Sequence, residues 1–279
     1  MASADTNTEW GSSFRLTAAE KWKAKSARMG RDVTQALVDY AQPRAGMNVL
    51  DVASGTGEPA ITIASGMGAS GHVTALDLNA DLLAIAAERA KQRGLDQVTT
   101  QQADAQSLPF DDNTFDLATC RFGVMFFPEV QRALHELLRV LKAGARACFA
   151  VWGPKEQPYF LASMGIVHRH IGGSLIAPGG HDPFRFADPG SLSRALNDAG
   201  FSDVHEETCV VPWTWPGTPE EVWEQQQAVG APFRALLDRV PPGDWPRLNE
   251  EIYAAIRKYQ DGNDLKFTAT IVLASGRKP

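Results

Sequence analysis

A short glycine-rich segment with two flanking carboxylates is the part of the sequence best suited to bind a ligand. Asp51 precedes the string Ala53-Ser54-Gly55-Thr56-Gly57, and Asp77 follows twenty residues after Gly57. The glycines permit a tight turn and a close approach of the backbone to a ligand, which side chains would block. The two oxygens of Asp77 are able to accept hydrogen bonds from two ribose hydroxyls. The pattern predicts a loop that binds a ribose-containing ligand.

Two kinds of ligand are compatible with this loop. With Ala60 the string satisfies Gly-x-Gly-x-x-Ala, which is one form of the dinucleotide-binding motif. Asp51 would repel a pyrophosphate but not a cationic ligand that bears an amino group. Asp104 follows the next strand, where its carboxylate is able to accept from an adenine amino group. Taken singly, each of these residues also fits an ordinary strand end or turn; taken in order, they favour an adenosyl ligand with a cationic end.

Alternating apolar runs and helical patterns supply the elements that position these residues. The alternation, from about Met47 to Cys209, predicts a parallel sheet wrapped by helices. Asn79 is the predicted N-cap of the helix after the second strand, and Asp188-Pro189 is expected to cap a later helix that Gly200 ends. The predicted strands are Met47–Ala53, Gly71–Leu78, Val98–Gln102, Phe115–Cys120, Ala145–Trp152, Val204–Val211 and Lys266–Ala274.

Composition narrows the class of protein. The chain has 279 residues, of which 44% are hydrophobic and 22% charged, and its net charge is −6. It is long enough to bury a core, and the charge balance argues against a nucleic-acid partner. With neither a signal-like start nor an apolar run long enough to cross a bilayer, we expect a cytoplasmic protein without stable membrane insertion. Cys120, Cys148 and Cys209 are expected to be reduced core thiols, and no metal is expected.

At this point the sequence resembles the class I S-adenosylmethionine-dependent methyltransferases, specifically their ubiquinone/menaquinone C-methyltransferase-like branch. The resemblance runs from about Val33 to Val151, and the strand-helix-strand ending also fits. It implies a Rossmann-like, seven-stranded, mostly parallel α/β sheet with an antiparallel last strand and helices on both faces. It also implies S-adenosyl-L-methionine as the cofactor. The cofactor-binding residues implied are Asp51, Ala53, Gly55, Gly57, Asp77, Leu78, Asp104 and Ala105.

Arg121 is a further candidate for the cofactor site. It follows the fourth predicted strand, where it would face the cofactor carboxylate or an acidic acceptor; a surface position is the alternative.

Two segments interrupt the alternation of strands and helices, at about 153–187 and 212–263, and both are rich in Pro, Trp and Phe. We expect them to be helical insertions that cover the acceptor within a methyltransferase domain of residues 31–279. Residues 1–30, with Trp10, Phe14 and Trp22, are expected to form a lid. An aromatic pocket suits a flat or greasy acceptor, although simple packing of the insertions is the competing interpretation. The pocket candidates are Trp152, Tyr159, Phe184, Phe186 and Trp213.

Methyl transfer from a sulfonium is an in-line displacement, so alignment and exclusion of water matter more than any catalytic group. His168 and His170, in the first insertion, are the candidate general bases. The sequence therefore predicts a methyltransferase for a small, apolar or aromatic acceptor, methylated at carbon or oxygen, and it leaves a homo-oligomer open. The alternatives are an NAD(P)-dependent oxidoreductase on a Rossmann fold and a non-catalytic cofactor-binding or scaffold protein.

Overall fold

The strands and helices of the computed structural model are described for residues 23–279, so Trp10, Phe14 and Trp22 lie outside the described residues. The strands are β1 (Asn48–Val52), β2 (His72–Asp77), β3 (Val98–Gln102), β4 (Phe115–Arg121), β5 (Leu141–Trp152), β6 (Ser202–Pro216), β7 (Gln260–Asp261) and β8 (Asp264–Arg277). The α-helices are α1 (Lys23–Met29), α2 (Arg31–Ala41), α3 (Ala60–Met67), α4 (Ala80–Gln92), α5 (Val130–Val140), α6 (Pro158–Leu161), α7 (Met164–Ile171), α8 (Ser191–Asp198), α9 (Pro219–Val229), α10 (Arg234–Leu237) and α11 (Trp245–Arg257).

The sheet has the order β3-β2-β1-β4-β5-β8-β6, and the two-residue β7 pairs with β8. Strands β1 to β5 are paired in parallel, whereas β8 is antiparallel to β5. The central β1 is buried along almost its whole length, as expected of a strand with elements on both faces. The α/β class, the seven-stranded path and the antiparallel last strand expected from the sequence are confirmed.

Most strand boundaries differ from the predictions by one to five residues, and β6 ends at Pro216 rather than Val211. Strand β5 begins at Leu141 rather than Ala145, because Leu141 pairs with Phe115 of β4 although its apolar side chain continues the pattern of α5. Helix α8 begins at Ser191, so the predicted cap at Asp188-Pro189 is wrong. Glu206 of β6 accepts hydrogen bonds from the backbone N–H groups of Gly190 and Ser193, at 2.5 and 2.9 Å. A carboxylate distant in sequence thus caps this helix.

The chain divides into two compact units. The first, which we call the sheet unit, comprises Val33–Gly153, Phe184–Cys209 and Ile271–Pro279. Its hydrophobic core is built from β1, β4 and β5 with the buried faces of α5 and α8. The second, the insertion unit, comprises Pro154–Pro183, Val210–Thr270 and the described residues up to Asp32. It contains helices α6, α7, α9, α10 and α11.

The thiols are free in the described structure, and Cys120 and Cys148 are buried. Burial raises the pKa of each of these two thiols to about 12, so both are protonated at neutral pH. In residues 23–279 we find neither a helix long and apolar enough to span a membrane nor a group of three potential metal ligands.

Candidate cofactor site

The site lies where the strand order reverses. Strand β1 has β2 on one side and β4 on the other, and successive strands run outward from it in both directions. In open α/β sheets such a switch point leaves a crevice at the carboxyl ends of the strands, which is where ligands bind. The glycine string follows β1, and Asp77 is the last residue of β2. The sheet therefore brings these two parts of the motif to the same edge.

Asp51 is wholly buried beneath this edge. Its Oδ1 accepts a hydrogen bond from Thr119 Oγ1 of β4 at 2.8 Å, and its Oδ2 accepts from the N–H of Ala60 at 3.2 Å. Ala60 is the first residue of α3, so the carboxylate satisfies a free N–H at the helix start. Burial raises the pKa of Asp51 to about 6, against opposing hydrogen bonds and the positive charge of Arg121. Asp51 on β1 is therefore connected by hydrogen bonds to both β4 and α3.

The glycine loop has backbone angles that most side chains disfavour. Ala53, Gly55 and Gly57 have φ values of 57°, 55° and 100°. A Cβ on Gly57 would lie 2.7 Å from Ile61 Cδ1, so this position requires glycine for both conformation and space. A Cβ on Gly55 would meet no atom within 4 Å. The backbone at Gly55 therefore borders open space that a ligand is able to enter.

Asp77 and Leu78 border the same space. The backbone N–H of Gly55 donates to Asp77 Oδ2 at 2.8 Å, and the N–H of Asn79 donates to Oδ1 at 3.0 Å. These bonds fix the carboxylate and leave each oxygen a lone pair for another donor. Asp77 is partly accessible, and Leu78 is 51% exposed although its side chain is large and apolar. Asn79 caps α4 as predicted.

Arg89 on α4 holds the loop from behind, and sequence reasoning missed it. Its Nη1 donates to the carbonyl of Thr56, within the glycine string, and its Nη2 donates to Glu58 Oε1 at 2.9 Å. Glu58 Oε2 in turn accepts from Thr62 Oγ1 at 2.6 Å. The signal was present in the sequence, because Arg89 is the one charged residue on the buried face of α4, three positions after Ala86.

Asp104 and Ala105 lie in the turn after β3. Ala105 is buried, and Asp104 is partly accessible. The carboxylate of Asp104 accepts from the backbone N–H and the side-chain amide of Gln106, at 2.9 and 3.1 Å. These two hydrogen bonds fix the turn around the Asp104 carboxylate.

Arg121 is the last residue of β4 and points toward α2, where Nη1 donates to Thr34 Oγ1 at 2.7 Å. Burial lowers the pKa of Arg121, and the nearby carboxylates of Glu58 and Asp51 oppose this shift. The following residue, Phe122, has a φ of 61°, and its ring stacks on Trp152 with centroids 4.3 Å apart. Strained backbone at Ala53 and Phe122, the residues directly after two neighbouring strands, is typical of a functional site.

The pocket candidates fall into separate groups. Phe186 is 6% exposed and belongs to the core of the sheet unit, which favours a packing role, while Phe184 is partly accessible. Trp152 stacks on Phe122 in the same unit. Tyr159 and Trp213 meet edge to face in the insertion unit, with ring centroids 5.8 Å apart.

The two candidate bases lie on α7 of the insertion unit. His168 Nε2 contacts the carbonyl of Gly173 at 3.0 Å. His170 is held at both ring nitrogens, by Asp244 Oδ2 at 2.9 Å and by Arg247 Nη2 at 3.1 Å. Since Arg247 only donates, Nδ1 of His170 is the acceptor and Nε2 carries the proton. Neither nitrogen of His170 is available to take a proton from a substrate in this arrangement.

Comparisons with known proteins show which sequences and folds this chain is similar to. A model of the ubiE/COQ5 methyltransferase family matches residues 22–177. The chain is 44% identical over 136 residues to the ubiquinone/menaquinone biosynthesis C-methyltransferase UbiE of Brucella abortus (strain S19), covering 48% of this chain and 51% of that protein. It is 35% identical over 195 residues to the protein of the same name from Bartonella quintana, covering 64% of this chain and 74% of that protein.

Among solved structures, the chain is similar to a SAM-dependent methyltransferase from Aquifex aeolicus. The TM-score is 0.53 at 23% sequence identity, and the alignment covers 70% of this chain and 92% of the other. At this identity the likeness supports the fold alone. The chain spans about half the length of the first curated relatives that it matches.

Proposed function

Because the chain belongs to the ubiE/COQ5 methyltransferase family, we propose that the protein transfers a methyl group from S-adenosyl-L-methionine to a small, apolar or aromatic acceptor, at carbon or oxygen. The family expected from the sequence is confirmed. The observation that carries the proposal is the edge formed by the glycine loop and Asp77, with the Gly55 N–H bound to the carboxylate at 2.8 Å. The dinucleotide alternative is disfavoured, because the matched family is a methyltransferase family.

The residues at this edge fit the cofactor. The open space beside Gly55 accommodates a group pressed against the backbone. Asp77 has a free lone pair on each oxygen for the ribose hydroxyls, and the exposed Leu78 offers apolar surface to a flat base. Asp104 and Ala105 would receive the adenine end. The cofactor, once bound, supplies a methyl group on a positively charged sulfur.

This chain's own residues would mainly hold and orient the reactants. Asp51 and Arg89 hold the loop in place. Asp51 accepts a hydrogen bond from the first residue of α3, and Arg89 donates one to the carbonyl of Thr56. The buried negative charge of Asp51 also favours a cationic ligand nearby. Because an in-line displacement depends on alignment and on a dry site, fixing the loop before binding lowers the entropic cost of reaching that geometry.

Calorimetry on the purified protein tests the proposal. S-adenosyl-L-methionine, S-adenosylhomocysteine and NADH would be titrated side by side. We expect the two adenosyl-sulfur ligands to bind with micromolar affinity and NADH not to bind. Binding of NADH alone would favour the oxidoreductase, and no binding of any of the three would favour a non-catalytic protein.

A further inference from the structure

A cluster of charged side chains surrounds the glycine loop. Within residues 23–279 it comprises two acids, Asp51 and Glu58, and two bases, Arg89 and Arg121, whose formal charges cancel. Asp51 and Arg89 are buried, and Glu58 and Arg121 are partly buried. Taking charges out of water is costly even when they are paired, so such a cluster is weak evidence for stability. Charged groups gathered at a ligand crevice are instead typical of functional sites.

Glu58 and Arg89 form the pair of this cluster that lies behind the loop. Arg89 Nη2 donates to Glu58 Oε1 at 2.9 Å, and the two side chains are only 9% and 15% exposed. Arg89 Nη1 donates to the carbonyl of Thr56, and Glu58 Oε2 accepts from Thr62 Oγ1 at 2.6 Å. Both charges are therefore held at fixed positions relative to the backbone of the glycine string.

These charges also act on the other side of the loop, at the end of β4. Burial lowers the pKa of Arg121, the negative charges of Glu58 and Asp51 oppose this shift, and the positive charge of Arg89 adds to it. A positive group at this edge of the sheet is thus attracted by two anions and repelled by one cation. Because charges interact more strongly in a partly buried site than in water, Glu58 and Arg89 influence the edge where the cofactor is proposed to bind.

The methyl donor and its product differ in the property that such a cluster is able to detect. S-adenosyl-L-methionine carries a positive charge on its sulfur, whereas the sulfur of S-adenosylhomocysteine is neutral. The adenine, ribose and amino acid groups are the same in both molecules. Hydrogen bonds to these shared groups contribute equally to both affinities, so the field at the sulfur distinguishes donor from product.

On the basis of the proposed function, we infer that Glu58 and Arg89 set the preference of the cofactor site for the positively charged methyl donor over its neutral product. The carboxylate of Glu58 strengthens binding of the cation selectively, and the guanidinium of Arg89 limits this effect. The pair therefore acts on the exchange of spent product for fresh donor. The carboxylate of Asp77, by contrast, would contact the ribose that both ligands share.

Three ligands and a set of charge-removing variants test this inference. The ligands are S-adenosyl-L-methionine, S-adenosylhomocysteine and sinefungin, which carries a protonated amine in place of the methylated sulfur. Each would be titrated calorimetrically at neutral pH and low ionic strength, where screening is small. The proteins are wild type, Glu58→Gln, Arg89→Gln and the double variant. Glu88→Gln is the matched control, because Glu88 lies beside Arg89 on α4 but is exposed.

We expect Glu58→Gln to lower the affinity ratio of donor to product by about fivefold, since one attractive charge is lost. The ratio of sinefungin to product should fall in the same way. Arg89→Gln should raise both ratios by a similar factor, and the double variant should return them close to the wild-type values. Glu88→Gln should leave them unchanged. A purely structural role in the loop would weaken all three ligands together and leave the ratios as they are.

Unchanged ratios in Glu58→Gln would overturn the inference, whatever happens to the absolute affinities. A fall for the methyl donor without a fall for sinefungin would overturn it too, because the methyl group rather than the charge would then be detected. If Arg89→Gln does not fold, the two ratios in Glu58→Gln still decide the question. Failure of the donor and the product to bind wild type would instead contradict the proposed function, so the two claims fail separately.

Discussion

Asp51 and Asp77 lie on adjacent strands but have different environments and therefore different roles. Asp51 is buried and bonded to donors on α3 and β4, whereas Asp77 is partly accessible and bonded to two loop N–H groups. The first carboxylate connects β1, β4 and α3, and we propose that the second faces the ligand. The environment of each carboxylate, rather than its residue type, assigns the role.

The buried carboxylate gives the protein a distinctive pH dependence. The folded-state pKa of Asp51, about 6, lies above its ordinary value of 3.8, so the folded protein holds this proton more tightly. Asp51 therefore contributes stability that is complete below about pH 4 and is lost as pH rises through about 6. Relative to Asp51→Asn, the free energy of unfolding of wild type should fall by about 3 kcal/mol over this range, as measured by urea denaturation at a series of pH values.

The comparison with Asp51→Asn removes the contribution of other carboxylates. Asp116, Glu136 and Glu221 have pKa values lowered by hydrogen bonds and cationic neighbours, so their contribution to stability changes with pH in the opposite direction. They are present in both proteins and cancel in the difference. A difference that stays constant with pH would show that Asp51 titrates at its ordinary pKa.

At the scale of elements, glycine is required in the loop between β1 and α3 but not within α3 itself. Gly57 is buried against Ile61 with a φ of 100°, whereas Gly66 lies exposed in α3 with no atom within 4 Å of the added Cβ. The same substitution should therefore have opposite effects at the two positions.

Gly57→Ala should destabilise the protein by about 2 kcal/mol, through strain and overpacking, and should also weaken cofactor binding because the loop must shift. Gly66→Ala should stabilise it by up to about 1 kcal/mol, since alanine is the better helix former. Urea denaturation measures both effects. Wild-type stability and cofactor affinity in Gly57→Ala would mean that the loop does not need this conformation.

The sequence predicted elements well where local signals and tertiary contacts agree. Strand β3 has the predicted bounds, and Asn79 caps α4 with hydrogen bonds to the N–H groups of Asp81 and Leu82. The start of α8 was missed because its cap, Glu206, comes from a strand far along the chain. The hydrogen bond from Arg89 to the carbonyl of Thr56 was missed because it also joins residues that are far apart in sequence. A charged residue on the buried face of a helix was nevertheless a visible signal.

At the scale of the whole molecule, the strand order and the family match establish the fold and the family, whereas the acceptor is a proposal. The motif residues lie in the sheet unit, where the strand order and the family match agree. Acceptor recognition depends on loops and insertions, which vary on a common fold and carry weak sequence signals.

We propose that the edge between the glycine loop and β2 binds S-adenosyl-L-methionine through Asp77. Calorimetric titration of that ligand into wild type, Asp77→Asn and the exposed control Asp96→Asn tests it most directly. We expect an affinity loss of at least about tenfold in Asp77→Asn, because a charged hydrogen-bond acceptor is removed, and no change in Asp96→Asn. Wild-type affinity in a folded Asp77→Asn protein would contradict it.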